Sequence, residues 1–233
     1  MSELNSHPFG RTARVSGAEH TNKLLRNTYY LLSLSLLPTA LGAWIGVQIG
    51  LFQLFGGAVL VPTLIMLALM FGFTYLIERN RNSGLGVALM LCFTFFMGLM
   101  LSGILTVALS FANGSAMITM AALGTAGLFF SLASYATVTK RDFSNMGKGL
   151  MIGLVMLVVA SIANIFFQMP ALGLTISTLA IGLFSLLILF DLQRILKGGE
   201  TSYISATLGI YLSLYNIFTS LLQLLMAFTG DRE

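Results

Sequence analysis

Asp191 is the acidic residue best placed to do chemistry within the apolar part of this chain. It lies at the end of a long apolar run, in the sequence Phe190-Asp191-Leu192-Gln193-Arg194. A partly desolvated carboxylate can titrate at accessible pH, so Asp191 could serve as a proton-sensitive latch at one end of a helical bundle. Arg194, three residues on, shares its helical face, and the alternative interpretation is an interfacial ion pair.

The apolar runs lack the combinations of side chains that known catalytic and metal-binding sites require. The two histidines, His7 and His20, lie in the polar amino-terminal segment, and the single cysteine, Cys92, lies alone in an apolar run. A serine–histidine pair or a histidine metal site therefore cannot be assembled there. An aspartyl pair needs two carboxylates, but Asp191 stands alone at the end of its predicted span. The sequence also has no phosphate-binding glycine loop. The sequence predicts a protein that is not an enzyme and has no metal or other cofactor.

A polar stripe runs along the last apolar segment. Its members recur three or four residues apart, as on one face of a helix; they are Ser205, Gly209, Ser213, Asn216, Ser220 and Gln223. A shorter stripe comprises Ser161, Asn164 and Gln168. Such stripes should face the bundle interior, because an unpaired amide in hydrocarbon costs several kcal/mol. Hydrogen bonds between helices and a water-filled path are the two interpretations.

The elements that must position these residues are transmembrane helices. The chain has 233 residues, of which 57% are hydrophobic and 9% charged, so its apolar surface exceeds what one soluble core could hide. About 20 apolar residues span the hydrocarbon of a bilayer. The sequence predicts an all-α integral membrane protein, with a disordered cytoplasmic tail at 1–27 and a seven-helix domain at 28–230. The predicted spans are 29–50, 56–77, 84–110, 116–138, 147–168, 172–190 and 203–228.

The basic residues predict how these spans are oriented. Eleven of the twelve lie in the tail or in alternate linkers: Arg11, Arg14, Lys23, Arg26, Arg79, Arg81, Lys140, Arg141, Lys148, Arg194 and Lys197. Only Arg232 lies on the other side. The positive-inside rule puts the amino terminus in the cytoplasm and the carboxyl terminus outside. This insertion pattern explains the net charge of +4 better than nucleic-acid binding does.

Small residues four apart indicate where helices approach closely in lipid. The first predicted span carries Gly42, Gly46 and Gly50, and the fifth begins with Gly149 and Gly153. Packing within one chain is the favoured interpretation, and a homo-oligomer interface is the alternative.

Three segments of the second half resemble the signature of the Bax inhibitor family of membrane proteins. They are residues 127–136 (GLFFSLASYA) with 139–144 (TKRDFS), residues 189–193 (LFDLQ) and residues 211–218 (YLSLYNIF). The resemblance implies a bundle of six helices around a central, hydrophobic seventh. It also covers all seven predicted helices in order.

The resemblance implies two functions. The tail and the loop at 140–144 look most like a bacterial branch whose type member modulates the membrane protease FtsH. That likeness implies a non-enzymatic protein of the bacterial inner membrane that binds and restrains the FtsH complex. The tail would be the segment that the protease grasps, with basic residues Arg11, Arg14, Lys23 and Arg26.

The alternative is a pH-sensitive calcium or cation leak channel, as several family members are described. Their proposed gate is a pair of aspartates, and by the match Asp191 carries the first role, while the second falls at Ser213, which cannot ionise. Asn216 and Arg194 complete the gate candidates. The family's arginine on helix two has no counterpart within the predicted span, and Arg79 at its end is the nearest.

Overall fold

The protein is described by a computed structural model, which covers residues 9–51, 60–139 and 141–229. Within these ranges the chain is all-helical, as predicted, with seven long helices and one short 3-10 turn at Ser144–Met146. The long helices are α1 (Phe9–Gln48), α2 (Leu60–Arg79), α3 (Gly84–Leu109), α4 (Gly114–Val138), α5 (Gly147–Phe167), α6 (Pro170–Leu196) and α7 (Tyr203–Thr229).

Six of these helices are long and apolar enough to cross a membrane. They are α1 from Thr21 onward and α3 to α7. The start of the second predicted span, at 56–59, lies outside the described residues. Helix α6 extends beyond its predicted end at 190, because Leu192 and Ile195 keep the helical period of buried residues. Asp191 therefore lies within a helix rather than at its end.

Helix α1 is much longer than the first predicted span. It begins at Phe9, so residues 9–27, predicted to be a disordered tail, are helical in the structure. This stretch has no proline and runs directly into the apolar part of the helix, and Glu19 and Lys23 have the spacing of a stabilising pair. Packing also starts early, since Leu24 and Thr28 are buried. Residues 1–8 lie outside the described residues.

Local sequence signals explain several helix ends. Ser83 precedes α3, and its hydroxyl accepts a hydrogen bond from the N–H of Gly86 at 3.4 Å, as N-cap residues do. Pro170 occupies the first turn of α6, where its missing N–H costs nothing. Helix α5 ends at Phe167 and is followed by Gln168, whose φ of 50° lies in the left-handed region. The Asn164 side chain supports this turn by accepting the N–H of Met169 at 3.2 Å.

Helices α1 and α3 approach each other so closely that glycine is required. An ideal Cβ placed on Gly42 would lie 2.2 Å from the carbonyl oxygen of Phe95, and one on Gly98 would lie 2.1 Å from that of Thr39. At Gly46 the Cβ would lie 2.6 Å from Oγ of Ser102. These backbones can meet only because the side chains are absent. The predicted role of Gly42 and Gly46 in packing within one chain is confirmed.

Helices α7 and α5 have opposite surroundings. Helix α7 packs against α1, α2, α3, α4 and α6. The hydroxyl groups of Tyr211 on α7 and Thr39 on α1 form a hydrogen bond of 2.8 Å. Helix α5 packs chiefly against α6 and exposes large apolar side chains such as Ile152, Met156 and Val159. Helix α7 thus has five helix neighbours, whereas α5 has one main helix neighbour.

Candidate functional site

A charged cavity of about 310 Å³ lies at one end of the bundle, between α2, α6, α7 and the loop that joins α6 to α7. Its lining contains three carboxylates and two guanidinium groups. The lining residues are Thr74, Glu78, Arg81, Asp191, Arg194, Glu200, Ser205, Ala206, Leu208, Gly209 and Leu212. The cavity thus brings together two of the predicted gate residues, Asp191 and Arg194.

Asp191 enters the cavity from α6, directly opposite Gly209 of α7. An ideal Cβ on Gly209 would lie 2.8 Å from Oδ2 of Asp191, so glycine makes room for the carboxylate. Asp191 is half-buried, and it makes no hydrogen bond or ion pair with any of the described residues. Its charge is therefore the one in the cavity lining that no direct partner balances.

The ion pair considered between Asp191 and Arg194 is not formed. Nη2 of Arg194 lies 3.1 Å from Oε2 of Glu200, and Nε of Arg194 donates to the carbonyl oxygen of Gly199 at 3.3 Å. The helix rule that residues three apart are neighbours holds for Asp191 and Arg194. Arg194 does not pair directly with Asp191 because the α6–α7 loop offers the guanidinium two acceptors instead.

Glu200 organises the loop that separates α6 from α7. Its side chain is only 6% exposed, and its Oε1 accepts the N–H groups of Thr201 at 2.9 Å and Ser202 at 3.0 Å. Sequence reasoning missed Glu200. The available signal was an acidic residue just before the start of a helix, where the helix dipole favours negative charge.

Helix α2 contributes the third acid of the cavity. Oε2 of Glu78 accepts a hydrogen bond of 3.0 Å from the hydroxyl of Ser205 on α7, and it lies 3.9 Å from Nη1 of Arg81. The arginine near α2 that lines the cavity is Arg81, whereas Arg79 was named from the sequence only as the one nearest to the family's position. Glu78 was also missed, although it follows directly on the predicted second span.

Ser213 and Asn216, the other predicted gate residues, are not part of the cavity lining. Ser213 is 3% exposed and lies one turn beyond Gly209. Asn216 turns its side-chain amide back to its own helix, where Nδ2 donates to the carbonyl oxygen of Leu212 at 2.8 Å. Of the four predicted gate residues, Asp191 and Arg194 line the cavity and these two do not.

Hydrogen bonds between helices account for both ends of the polar stripe on α7. Ser205 reaches Glu78 at the cavity, and at the other end Oε1 of Gln223 accepts a hydrogen bond of 2.6 Å from Ser177 on α6. At these two positions the hydrogen-bonding interpretation of the stripe is confirmed.

Gln193 ties the loop between α4 and α5 to the cavity end of α6. Its Nε2 donates to the carbonyl oxygen of Arg141 at 2.7 Å, and its Oε1 accepts the N–H of Phe143 at 2.9 Å. The side chain is only 3% exposed. Lys197 and Asp142 form an ion pair between the same loop and the end of α6. We call these contacts the Gln193 clamp.

The turn between α2 and α3 is also joined to this end of the bundle. The hydroxyl of Ser202 donates to the carbonyl oxygen of Arg81 at 2.7 Å. Three of the linkers predicted to share one side of the membrane are therefore in direct contact. Of the basic tail residues, Lys23 and Arg26 are exposed on α1, whereas the side chains of Arg11 and Arg14 lie outside the described part.

The charged side chains of the lining determine what chemistry the cavity offers. Its carboxylates can exchange protons or attract a cation, and its guanidinium groups can change partners. Within the described ranges no cluster of three or more His, Cys, Asp or Glu side chains is arranged to hold a metal ion. The cavity lining also offers no histidine or cysteine.

Comparison with known proteins extends the resemblance to nearly the whole chain. The family model described as "Inhibitor of apoptosis-promoting Bax1" matches residues 21–230. The modulator of FtsH protease YccA from Escherichia coli (strain K12) is 41% identical over 226 residues, which cover 97% of this chain and 97% of that protein. The same identity is found with a protein named inner membrane protein YccA from Escherichia coli O6:H1.

A third relative is more distant in sequence but equally complete. An uncharacterized membrane protein from Vibrio cholerae is 37% identical over 223 residues, covering 95% of this chain and 97% of the relative. Because the family model spans both the helices that form the cavity and those that pack around them, the chain belongs to the Bax inhibitor family of membrane proteins.

Proposed function

We propose that this protein is a seven-transmembrane protein of the bacterial inner membrane that binds the FtsH protease complex and restrains it without catalysing a reaction. The observation that carries the proposal is the 41% identity, over nearly the full length of both chains, to a protein named modulator of FtsH protease. Helix α2 supplies the seventh span in this proposal. Its 20 residues measure about 30 Å, the thickness of the hydrocarbon layer.

The proposed orientation places the amino terminus and the cavity end in the cytoplasm. The contacts among the three linkers that carry Arg81, Arg141 and Lys197 support a common side for them. We expect a reporter fused after Glu233 to be active on the periplasmic side. A reporter inserted in the loop after Val138 should be active in the cytoplasm. A cytoplasmic carboxyl terminus would contradict the seven-span count.

Co-purification tests the proposed partner. We expect the full-length chain, tagged at its carboxyl terminus and solubilised in mild detergent, to retain FtsH and to slow the degradation of an FtsH substrate in reconstituted membranes. The matched control is a chain without residues 1–23. The deletion ends just before Leu24, the first buried apolar residue among the side chains of α1 that the structure describes.

The control separates two outcomes. If the amino-terminal segment is the point of engagement, the shortened chain should fold, retain less FtsH and no longer slow substrate degradation. Equal retention by both chains would assign binding to the bundle. Failure of the full-length chain to retain FtsH or to change its activity would contradict the proposed function.

A proton-sensitive cation leak is the second candidate function. The observation in its favour is the Asp191 carboxylate, which lies in the cavity without a direct partner. Ser213, at the position of the family's second aspartate, cannot share a proton with it, and this departure ranks the leak below protease modulation.

For the leak we expect little change on substitution of Asp191. Because Asp191 has neither an ion-pair partner nor a second acid at Ser213, Asp191→Asn should leave calcium flux into liposomes within about twofold of the parent at every pH. The matched variant Ser213→Asp should create a pH-dependent flux if the scaffold can conduct. Strong pH-dependent flux in the parent that disappears in Asp191→Asn would make the leak the primary function.

A further inference from the structure

The guanidinium of Arg194 has two acids within reach of its helix position. Asp191 lies one helical turn before it, and Glu200 lies in the loop after it; all three side chains line the same cavity. In the structure Nη2 of Arg194 lies 3.1 Å from Oε2 of Glu200, and Arg194 forms no direct ion pair with Asp191. We propose that Arg194 is a two-position switch: the α6–α7 loop holds its guanidinium on Glu200, and release of that loop transfers it to Asp191.

The direction of the Arg194 side chain supports this proposal. Long side chains on an α-helix lean toward the amino terminus of the helix and cover the preceding turn. For Arg194 that direction leads to Asp191. Its observed contacts lead the opposite way, to Gly199 and Glu200, which follow the end of the helix. The observed position therefore depends on the acceptors that the loop supplies.

The loop is built to present those acceptors. Gly198 adopts a φ of 73°, in the left-handed region that glycine reaches without strain. The turn brings the N–H groups of Gly199 and Glu200 to the carbonyl oxygen of Arg194, at 2.8 and 3.2 Å. The Glu200 side chain is fixed in turn by the N–H groups of Thr201 and Ser202. Arg194 thus holds the loop by its backbone, and the loop holds Arg194 by its side chain.

A contact outside the loop gives the switch a trigger. The Ser202 hydroxyl donates to the carbonyl oxygen of Arg81, in the turn between α2 and α3, at 2.7 Å. Displacement of that turn would pull on Ser202 and, through it, on Glu200. The other charged groups that line the cavity are Glu78, on α2, and Arg81, in the turn that follows α2. Movement of α2 is therefore coupled to the partner of Arg194.

The two positions give the cavity different charge distributions. With Arg194 on Glu200, the uncompensated carboxylate is Asp191, which lies inside the bundle. With Arg194 on Asp191, the uncompensated carboxylate is Glu200, which keeps the N–H groups of Thr201 and Ser202 as hydrogen-bond donors. The switch would thus move one uncompensated negative charge between α6 and the α6–α7 loop without binding a ligand. The inference holds whichever of the proposed functions is correct.

A double-mutant cycle on the purified full-length chain tests the exchange. Reversible unfolding is measured for the parent, Asp191→Asn, Glu200→Gln and the double variant. In the parent background Asp191→Asn removes an unpaired charge and should not lower the folding equilibrium constant. In the Glu200→Gln background Arg194 has moved to Asp191, and the same change should lower that constant about tenfold, as expected for a hydrogen bond between charged groups.

Arg194→Gln is the control that assigns the effect to the guanidinium. When it is added to all four chains, Asp191→Asn should have the same effect whether position 200 carries glutamate or glutamine. Glu200→Gln keeps an acceptor for the N–H groups of Thr201 and Ser202; if it does not fold, Glu200→Asp replaces it, with the same sign expected. An equal effect of Asp191→Asn in the parent and in the Glu200-substituted background would overturn the proposal.

Discussion

Gly98→Ala should destabilise the folded chain by about 3 kcal/mol, at the upper end of the range for an overpacked core. The added methyl group would lie 2.1 Å from the carbonyl oxygen of Thr39 and 2.8 Å from its carbonyl carbon. Both are backbone atoms, which cannot move aside as the end of a side chain can. Helices α1 and α3 would have to separate, and Gly42, on the facing helix, would lose its close contact with Phe95.

Gly127→Ala is the matched control, since it makes the same substitution within α4. A Cβ at Gly127 meets nothing within 4 Å, so this variant should be as stable as the parent or slightly more so. Unfolding of the two variants in mixed micelles, compared with the parent, measures the difference. Equal stability of Gly98→Ala and Gly127→Ala would show that the α1–α3 contact is looser than the structure indicates.

Gln193→Leu should release the α4–α5 loop from the bundle and cost about 2 kcal/mol of stability, because the side chain makes two backbone hydrogen bonds. Leucine keeps the volume and the apolar packing but offers neither a donor to Arg141 nor an acceptor to Phe143. The measurement is the rate of trypsin cleavage after Arg141, which should rise about tenfold or more once the loop is free.

An exposed glutamine provides the control for this substitution. Gln48, at the end of α1, is exposed and takes part in no side-chain hydrogen bond with the described residues. Gln48→Leu should leave both stability and the cleavage rate as in the parent. If Gln193→Leu behaves in the same way, the Gln193 clamp is not what holds the loop.

The predicted helices agree with the structure because the cost of exposing backbone polar groups to lipid leaves few alternatives. Residues 84 and 203 are the first residues of α3 and α7 both in the prediction and in the structure. The predicted and observed helices differ at ends where charged residues adjoin the apolar run. Helix α6 continues through Asp191 and Arg194, and α1 begins well inside the predicted tail, because buried neighbours such as Ile195 and Leu24 extend helices that hydropathy alone would end.

The candidate site was only partly predictable for a different reason. Asp191 could be identified from the sequence because it is an acidic residue at the end of an apolar run. The partner of Arg194 could not be predicted, because sequence spacing favours Asp191, whereas the fold of the six loop residues places Glu200 beside Arg194. Glu78 likewise gains its role from Ser205, which is 127 positions away. Long-range pairs of this kind are fixed by packing, which a single sequence does not display.

Helix α5 depends on the lipid more than on the rest of the protein. It packs chiefly against α6, and Leu150 is the only one of its described residues that is buried. Its 21 residues extend about 31 Å, which matches the hydrocarbon thickness of about 30 Å. Its depth in the membrane is therefore set by solvation of its two ends, much as for a single-pass anchor. We expect a thinner or thicker bilayer to tilt α5 against α6, its main neighbour among the helices.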